Sequence, residues 1–230
     1  TICEDLWFDQ PSENAFSNSR LYTENPLEKL ARQKPDLVVN LAASPFSYLK
    51  QKVKTGIFTG NAEKFRLPIL YVNQVGAQTE LIFEGGSLAV NRKGEILGSC
   101  RLFEEDRLMV DLEELISGNR KPAGFSVPDQ TELIYHALIL GIKDYFTKLK
   151  FRKATLGLSG GIDSAVTLVL AERALGAGNL HVLLMPSKYS SDHSVKDARQ
   201  LAGNLGVKYD IVSIQDAFDT YIKAMRPVFG

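Results

Sequence analysis

The spacing of apolar positions changes about half-way along the 230 residues, and the change predicts two architectures. Upstream, residues 36–43 (DLVVNLAA) and 68–75 (PILYVNQV) are short β-rich apolar runs that predict buried strands. The Lys-rich stretch 50–66 between them predicts a surface helix. Residues 87–90 and 96–99 flank Asn91-Arg92-Lys93-Gly94, a hairpin signal in which the glycine supplies a positive φ. A further alternation over 108–112 predicts the last strand of this half. Residues 116–130 turn to Ser, Gly, Asn, Lys and two prolines, which predicts a linker.

Downstream, Asp129 followed by Glu132 predicts a helix start, and Ile134, Leu138, Ile142, Tyr145 and Leu149 draw one stripe along it, read as core packing. A strand over 154–158, a helix over 164–174 that is apolar all round, and a strand over 181–185 follow. Val195, Ala198, Leu201, Ala202 and Leu205 mark the face of the next helix, which Gly206 ends, and 209–214 predicts a third strand. Strands alternating with helices at this spacing imply a parallel sheet wrapped by helices.

Composition narrows the class without choosing within it. Lys+Arg 27 balance Asp+Glu 27, so there is no electrostatic footprint for non-specific nucleic-acid binding. Hydrophobic content of 44% and charged content of 23% exclude a disordered tail, a collagen-like repeat and a coiled coil. No apolar run approaches the roughly 18–20 residues that cross a bilayer. Cys3 and Cys100 are too few and too far apart for a disulfide scaffold or a cysteine zinc site, and His136, His181 and His193 show no ligand spacing. A reduced, cytoplasmic setting is expected. The polar stretch 11–28 reads as a loop near the first site.

The most informative segment is Gly157-Leu158-Ser159-Gly160-Gly161-Ile162-Asp163-Ser164, between a strand and a helix. Adjacent glycines let the backbone turn its amides inward, the serines add hydroxyl donors, and the helix offers its positive end to an anion. The segment lacks the lysine and spacing of the Walker loop and the third glycine of the dinucleotide fingerprint. Asp163 repels a phosphate unless a cation lies between them, and magnesium would supply one. The same residues also fit an ordinary strand-to-helix turn capped by Asp163 or Ser164.

Ser159-Gly160-Gly161-Ile162-Asp163-Ser164 resembles the SGGxDS loop (PP-loop) of the ATP pyrophosphatases. LGLSGGIDSA with the later Met185-Pro186-Ser187-Lys188-Tyr189-Ser190-Ser191 resembles the synthetase domain of glutamine-dependent NAD synthetases. The resemblance implies that Gly157 to Ser164 bind ATP, that Asp163 helps hold Mg2+ on the pyrophosphate, and that 185–191 shape the adenosine side.

Cys3 is by itself an ordinary small hydrophobe. In order with Asn40-Leu41-Ala42-Ala43-Ser44-Pro45-Phe46, Tyr71-Val72-Asn73-Gln74-Val75-Gly76 and Phe83-Glu84-Gly85-Gly86-Ser87, it resembles the second half of the nitrilase amidase domain that precedes the synthetase domain in that family. The resemblance implies Cys3 as nucleophile, the backbone amide of Glu4 as an oxyanion donor, and Ser44 and Lys50 as the grip on glutamine. Lys50 also reads as a solvated helix charge. The family's general base and oxyanion lysine lie upstream of the nucleophile, where this sequence has only two residues, so neither is assigned.

The expected fold is therefore α/β: residues 1–115 as the C-terminal part of a nitrilase-like α-β-β-α sandwich, 116–130 as linker, and 131–230 as the N-terminal part of a doubly wound parallel-sheet ATP pyrophosphatase domain. The expected enzyme is a ligase that amidates deamido-NAD to NAD with ATP, Mg2+ and ammonia from glutamine, as a homo-oligomer with no nucleic-acid or membrane partner. Taken alone, the 230 residues are expected to be inactive as a glutaminase. Alternatives are another ammonia-using ATP pyrophosphatase, such as a GMP synthetase, or a non-catalytic scaffold with relic half-sites.

Overall fold

The computed structural model describes residues 1–8 and 23–230, so most of the polar stretch 11–28 lies outside the described residues. The chain divides into two compact units, Thr1–Ala137 and Leu138–Gly230.

In the first unit, β1 (Val38–Ala42), β2 (Ile69–Asn73), β5 (Leu88–Val90) and β6 (Ile96–Ser99) form a mixed sheet in the order β1-β2-β5-β6. β1 and β2 run parallel, which requires a crossover, and α2 (Lys50–Phe65) supplies it. A separate hairpin pairs β3 (Val75–Gln78) with β4 (Leu81–Glu84). β5 and β6 are the expected hairpin: Asn91 Oδ1 accepts from the amides of Lys93 and Glu95, and Gly94 sits at φ +78°.

One expectation here is sharpened and one corrected. The surface helix expected at α2 is present but buries one face: Ile57, Phe58 and Ala62 share a core with Ile69, Tyr71, Leu88 and Val90, and Lys54 is buried too, while Lys52, Val53, Gly60 and Lys64 stay exposed. Each large apolar side chain so removed from water contributes roughly 1.5–3 kcal/mol. Residues 108–111 form no strand. Leu108 lies against Gly98 and Val110 packs on a cluster of Ala89, Leu97 and Leu115, while Met109 is exposed. The alternation is an extended segment without a ladder partner, ended when Asp111 accepts from the Glu113 and Glu114 amides and starts α3 (Leu112–Ser117). A short α1 (Pro26–Ala31) is capped by Asn25 and buries Leu27.

α4 (Gln130–Lys148) begins where expected, with Asp129 Oδ1 accepting from the amides of Thr131 and Glu132. Its stripe is not the core, because Ile134, Leu138, Tyr145 and Leu149 stay substantially exposed.

The second unit holds a parallel sheet of β7 (Ala154–Gly157), β8 (Leu180–Leu184) and β9 (Lys208–Ile211) in that order. α5 (Ile162–Leu175) connects the first pair and α6 (Asp192–Asn204) the second. Leu168 and Ala171 of α5 and Ala198 and Ala202 of α6 meet Leu180, Val182 and Leu184 in one core. Gly206, at φ +65°, turns the chain out of α6. β9 stops at Ile211, short of the expected 214, and α7 (Gln215–Phe229) follows.

Candidate active sites

In the first unit the short 3₁₀ turn Cys3–Leu6 is pinned at both ends. Ile2 bridges in parallel to Leu41, the Ile2 amide donates to Asp5 Oδ2 at 2.7 Å, and the Trp7 amide donates to the Glu4 carbonyl at 2.8 Å. Cys3 itself sits at φ +47°, a left-handed conformation that costs a non-glycine residue energy and is held by its surroundings. Asn40, fully buried in β1, donates from Nδ2 to the Cys3 carbonyl at 3.2 Å. The Ala43 amide, just past β1, donates to Cys3 Sγ at 3.4 Å.

Ser44 is the next residue, and its amide donates to Asn73 Oδ1 at 3.1 Å. Asn73 ends β2, donates from Nδ2 to the Gly85 carbonyl, and gives its backbone amide to Ser87 Oγ. The parallel register sets Ala42 opposite Asn73, so the ends of two adjacent strands bring Cys3 and Ser44 together. Lys50 lies exposed at the start of α2. An open cleft of about 590 Å³ is lined by Asn73, Gly85, Gly86, Ser87, Cys100 and Arg101 among others. Burial, with Asp106 adding to it, pushes the Cys100 thiol up.

In the second unit the glycine-rich segment leaves the carboxyl end of β7 and enters α5, the place where open α/β sheets bind ligands. Gly161 is the N-cap residue, extended and without a side-chain cap, so the first amides of α5 face outward unclaimed by a capping side chain. Neither Asp163 nor Ser164 caps the helix. Ser164 Oγ instead reaches back, donating to the Gly161 carbonyl at 3.0 Å and accepting from the Ser159 amide at 3.2 Å. Ser159 Oγ lies 3.0 Å from Ser164 Oγ and accepts from the Gly161 amide. Gly160, at φ +82°, lies so close to the backbone of Ser194 on α6 that any side chain would strike it. Asp163 is exposed in the first turn of α5. A Cβ at Gly157 would sit 3.0 Å from Met185 Cε, so the segment after β8 begins beside the loop. That segment is braced by α7: the Lys188 amide donates to Gln215 Oε1 at 2.7 Å, and the Tyr189 and Phe218 rings meet edge to face.

Residues 134–228 match the NAD synthase family. The whole chain is 46% identical over 232 residues to a glutamine-dependent NAD(+) synthetase of Synechocystis and 33% identical to one of Thermotoga maritima. It also superposes over its full length, with a TM-score of 0.85 and 32% identity, on a glutamine-dependent NAD+ synthetase of Acinetobacter baumannii solved with ADP. Over its whole length the chain is thus similar to part of the glutamine-dependent NAD synthetases. It spans 40% of the Synechocystis relative, 43% of the Thermotoga relative and 41% of the Acinetobacter chain.

Several supporting residues carry no sequence signal of their role. Asn40 and Asn73 fall within the motifs that resemble the nitrilase domain, but their own signal is only that of polar residues at inward positions of apolar strands. Lys54 and Glu84 form a buried ion pair, Nζ to Oε1, that nothing in a Lys-rich stretch announces. Burial lowers the Lys54 pKa, and Glu84 opposes that shift. Among the described residues no helix is long and apolar enough to cross a membrane.

Proposed function

We propose that this chain carries the cysteine end of a glutamine-hydrolysing site and the ATP-cleaving loop of a ligase that converts deamido-NAD to NAD. The observation that carries this reading is the likeness of the whole chain to glutamine-dependent NAD synthetases. Residues 1–115 act as the C-terminal part of a nitrilase-like sandwich and 131–230 as the beginning of the ATP pyrophosphatase domain, with 116–130 between them.

At the first site the Cys3 thiolate attacks the side-chain amide carbon of glutamine, with the Glu4 amide as an oxyanion donor and Ser44 and Lys50 holding the substrate. The C–N bond breaks as the proton given up by the Cys3 thiol is passed to the leaving nitrogen, which departs as ammonia, and water then cleaves the thioester to glutamate and the free thiol. At the second site the residues Gly157, Leu158, Ser159, Gly160, Gly161, Ile162, Asp163 and Ser164 surround the phosphates of ATP. The uncapped α5 amides and the two serine hydroxyls bind and orient the polyphosphate. The nicotinate carboxylate attacks the α-phosphorus, pyrophosphate departs, and ammonia then displaces AMP from the acyl carbon.

Asp163 fits magnesium, which is commonly held by one or two carboxylates together with substrate phosphates. The ion would neutralise charge on the polyphosphate. A cytoplasmic homo-oligomer completes the proposal, the free thiols of Cys3 and Cys100 being the usual state in a reducing compartment.

Product analysis tests the reaction class. Protein of the relatives' full length, given deamido-NAD, ATP, Mg2+ and glutamine, is expected to form NAD, AMP and pyrophosphate in equal amounts. Formation of ADP and phosphate instead would overturn it.

A further inference from the structure

Lys54 and Glu84 are buried charges of the first unit to which the proposed chemistry gives no part. Both are almost completely enclosed, with Lys54 Nζ on Glu84 Oε1. Desolvating two charges offsets most of their attraction, so such a pair adds little net stability and its role is sought in what it positions.

What lies against it is Tyr71. One turn beyond Lys54 on α2, Phe58 stacks on the Tyr71 ring, with centroids 4.1 Å apart and planes inclined by 27°. Gln51, Lys54, Tyr71 and Glu84 line a common small cavity, and the Tyr71 hydroxyl and Glu84 Oε2 are both buried in it without a completed hydrogen bond. The tyrosine is thus fixed in place by α2 while its polar end remains free to act on a neighbour.

The strand register says which neighbour. Tyr71 is opposite Asn40 across the parallel β1–β2 pair, and Asn73 is two residues on, on the same buried face of β2. Asn40 holds the Cys3 carbonyl and Asn73 holds the Ser44 amide. Tyr71 therefore stands between the side chains that place the two residues of the cysteine site. Its hydroxyl is pushed up by burial and then by the Glu84 charge; Ser44 is near enough to offset part of the rise, and Cys3 adds to it.

We propose that Tyr71 is a positioning residue of the amide-cleaving site: clamped by Phe58 and the Lys54–Glu84 pair, its hydroxyl sets the orientation of the Ser44 side chain toward the substrate. This rests on the proposed roles of Cys3 and Ser44.

Steady-state kinetics on protein of the relatives' full length tests it, with glutamine and ammonium as alternative nitrogen sources for Tyr71→Phe, Ser44→Ala, the double variant and Glu84→Gln. Tyr71→Phe is expected to raise the KM for glutamine about tenfold, the worth of one oriented hydrogen bond, with kcat and ammonium-supported turnover little changed. The double variant is expected to be no worse than Ser44→Ala alone, because both remove the same contact. Glu84→Gln is expected to raise the same KM, and it decides the matter if Tyr71→Phe does not fold. An unchanged glutamine KM, a loss shared equally by both nitrogen sources, or multiplied effects in the double variant would overturn the proposal. If Cys3→Ala keeps its glutamine-supported activity, the underlying assignment of the site fails instead.

Discussion

The backbone amide of Ala43 points at the sulfur of Cys3 across 3.4 Å, although forty residues of chain separate them. The contact exists because residues 1–2 run beside β1, so the chain that enters the turn at Cys3 ends level with the chain that leaves the strand. A donor there restrains the thiol, and the backbone of Cys3 is held in the left-handed region. An ordinary buried cysteine needs neither feature.

Asp163→Asn removes a carboxylate from the first turn of α5 while keeping its size. NAD formation is expected to fall by at least about tenfold with glutamine and with ammonium alike, since both nitrogen sources use the same adenylated intermediate. Ammonium-supported turnover equal to the wild type would remove Asp163 from the magnesium role.

Gly160→Ala combines a strained φ of +82° with a collision against the Ser194 backbone. The loop must shift away from α6, and ATP-dependent activity is expected to be lost with either nitrogen source while circular dichroism still reports a folded chain. Binding of ATP at wild-type affinity, measured by calorimetry, would show that the close approach is not required.

Lys54→Met leaves Glu84 charged and unpaired in the core, for an expected loss of about 3–5 kcal/mol in denaturant unfolding. Replacing both, Lys54→Met with Glu84→Leu, is expected to cost much less. Equal losses would mean that packing, not charge pairing, governs the position.

Local chemistry explains what was legible in the sequence. The Asn91–Gly94 turn, the Asp129 start of α4, the Gly206 stop and the buried face of α6 each rest on residues a few positions apart. The hairpin of β3 and β4 was not, because its turn places Thr79 at φ +49° without the glycine or asparagine that signals such a turn. α7 was not legible either, because Pro227 reads as a helix breaker although the helix runs through it to Phe229. The buried face of α2 was hidden because Lys54 is inside, and a lysine reads as solvated until its partner, thirty residues on, is brought beside it. In the sites, the residue types of Cys3 and the Gly157 to Ser164 loop were readable. Asn40, Tyr71 and Asn73 lie in the motifs that resemble the nitrilase domain, but their roles were not readable, since these come from the β1–β2 register.

The division of labour between the two sites is tested most directly by Cys3→Ala in protein of the relatives' full length, assayed for NAD formation from deamido-NAD and ATP with each nitrogen source. Glutamine-supported synthesis is expected to disappear while ammonium-supported synthesis persists near the wild-type rate. Persistent glutamine-supported synthesis, or loss of both activities in a folded variant, would contradict it.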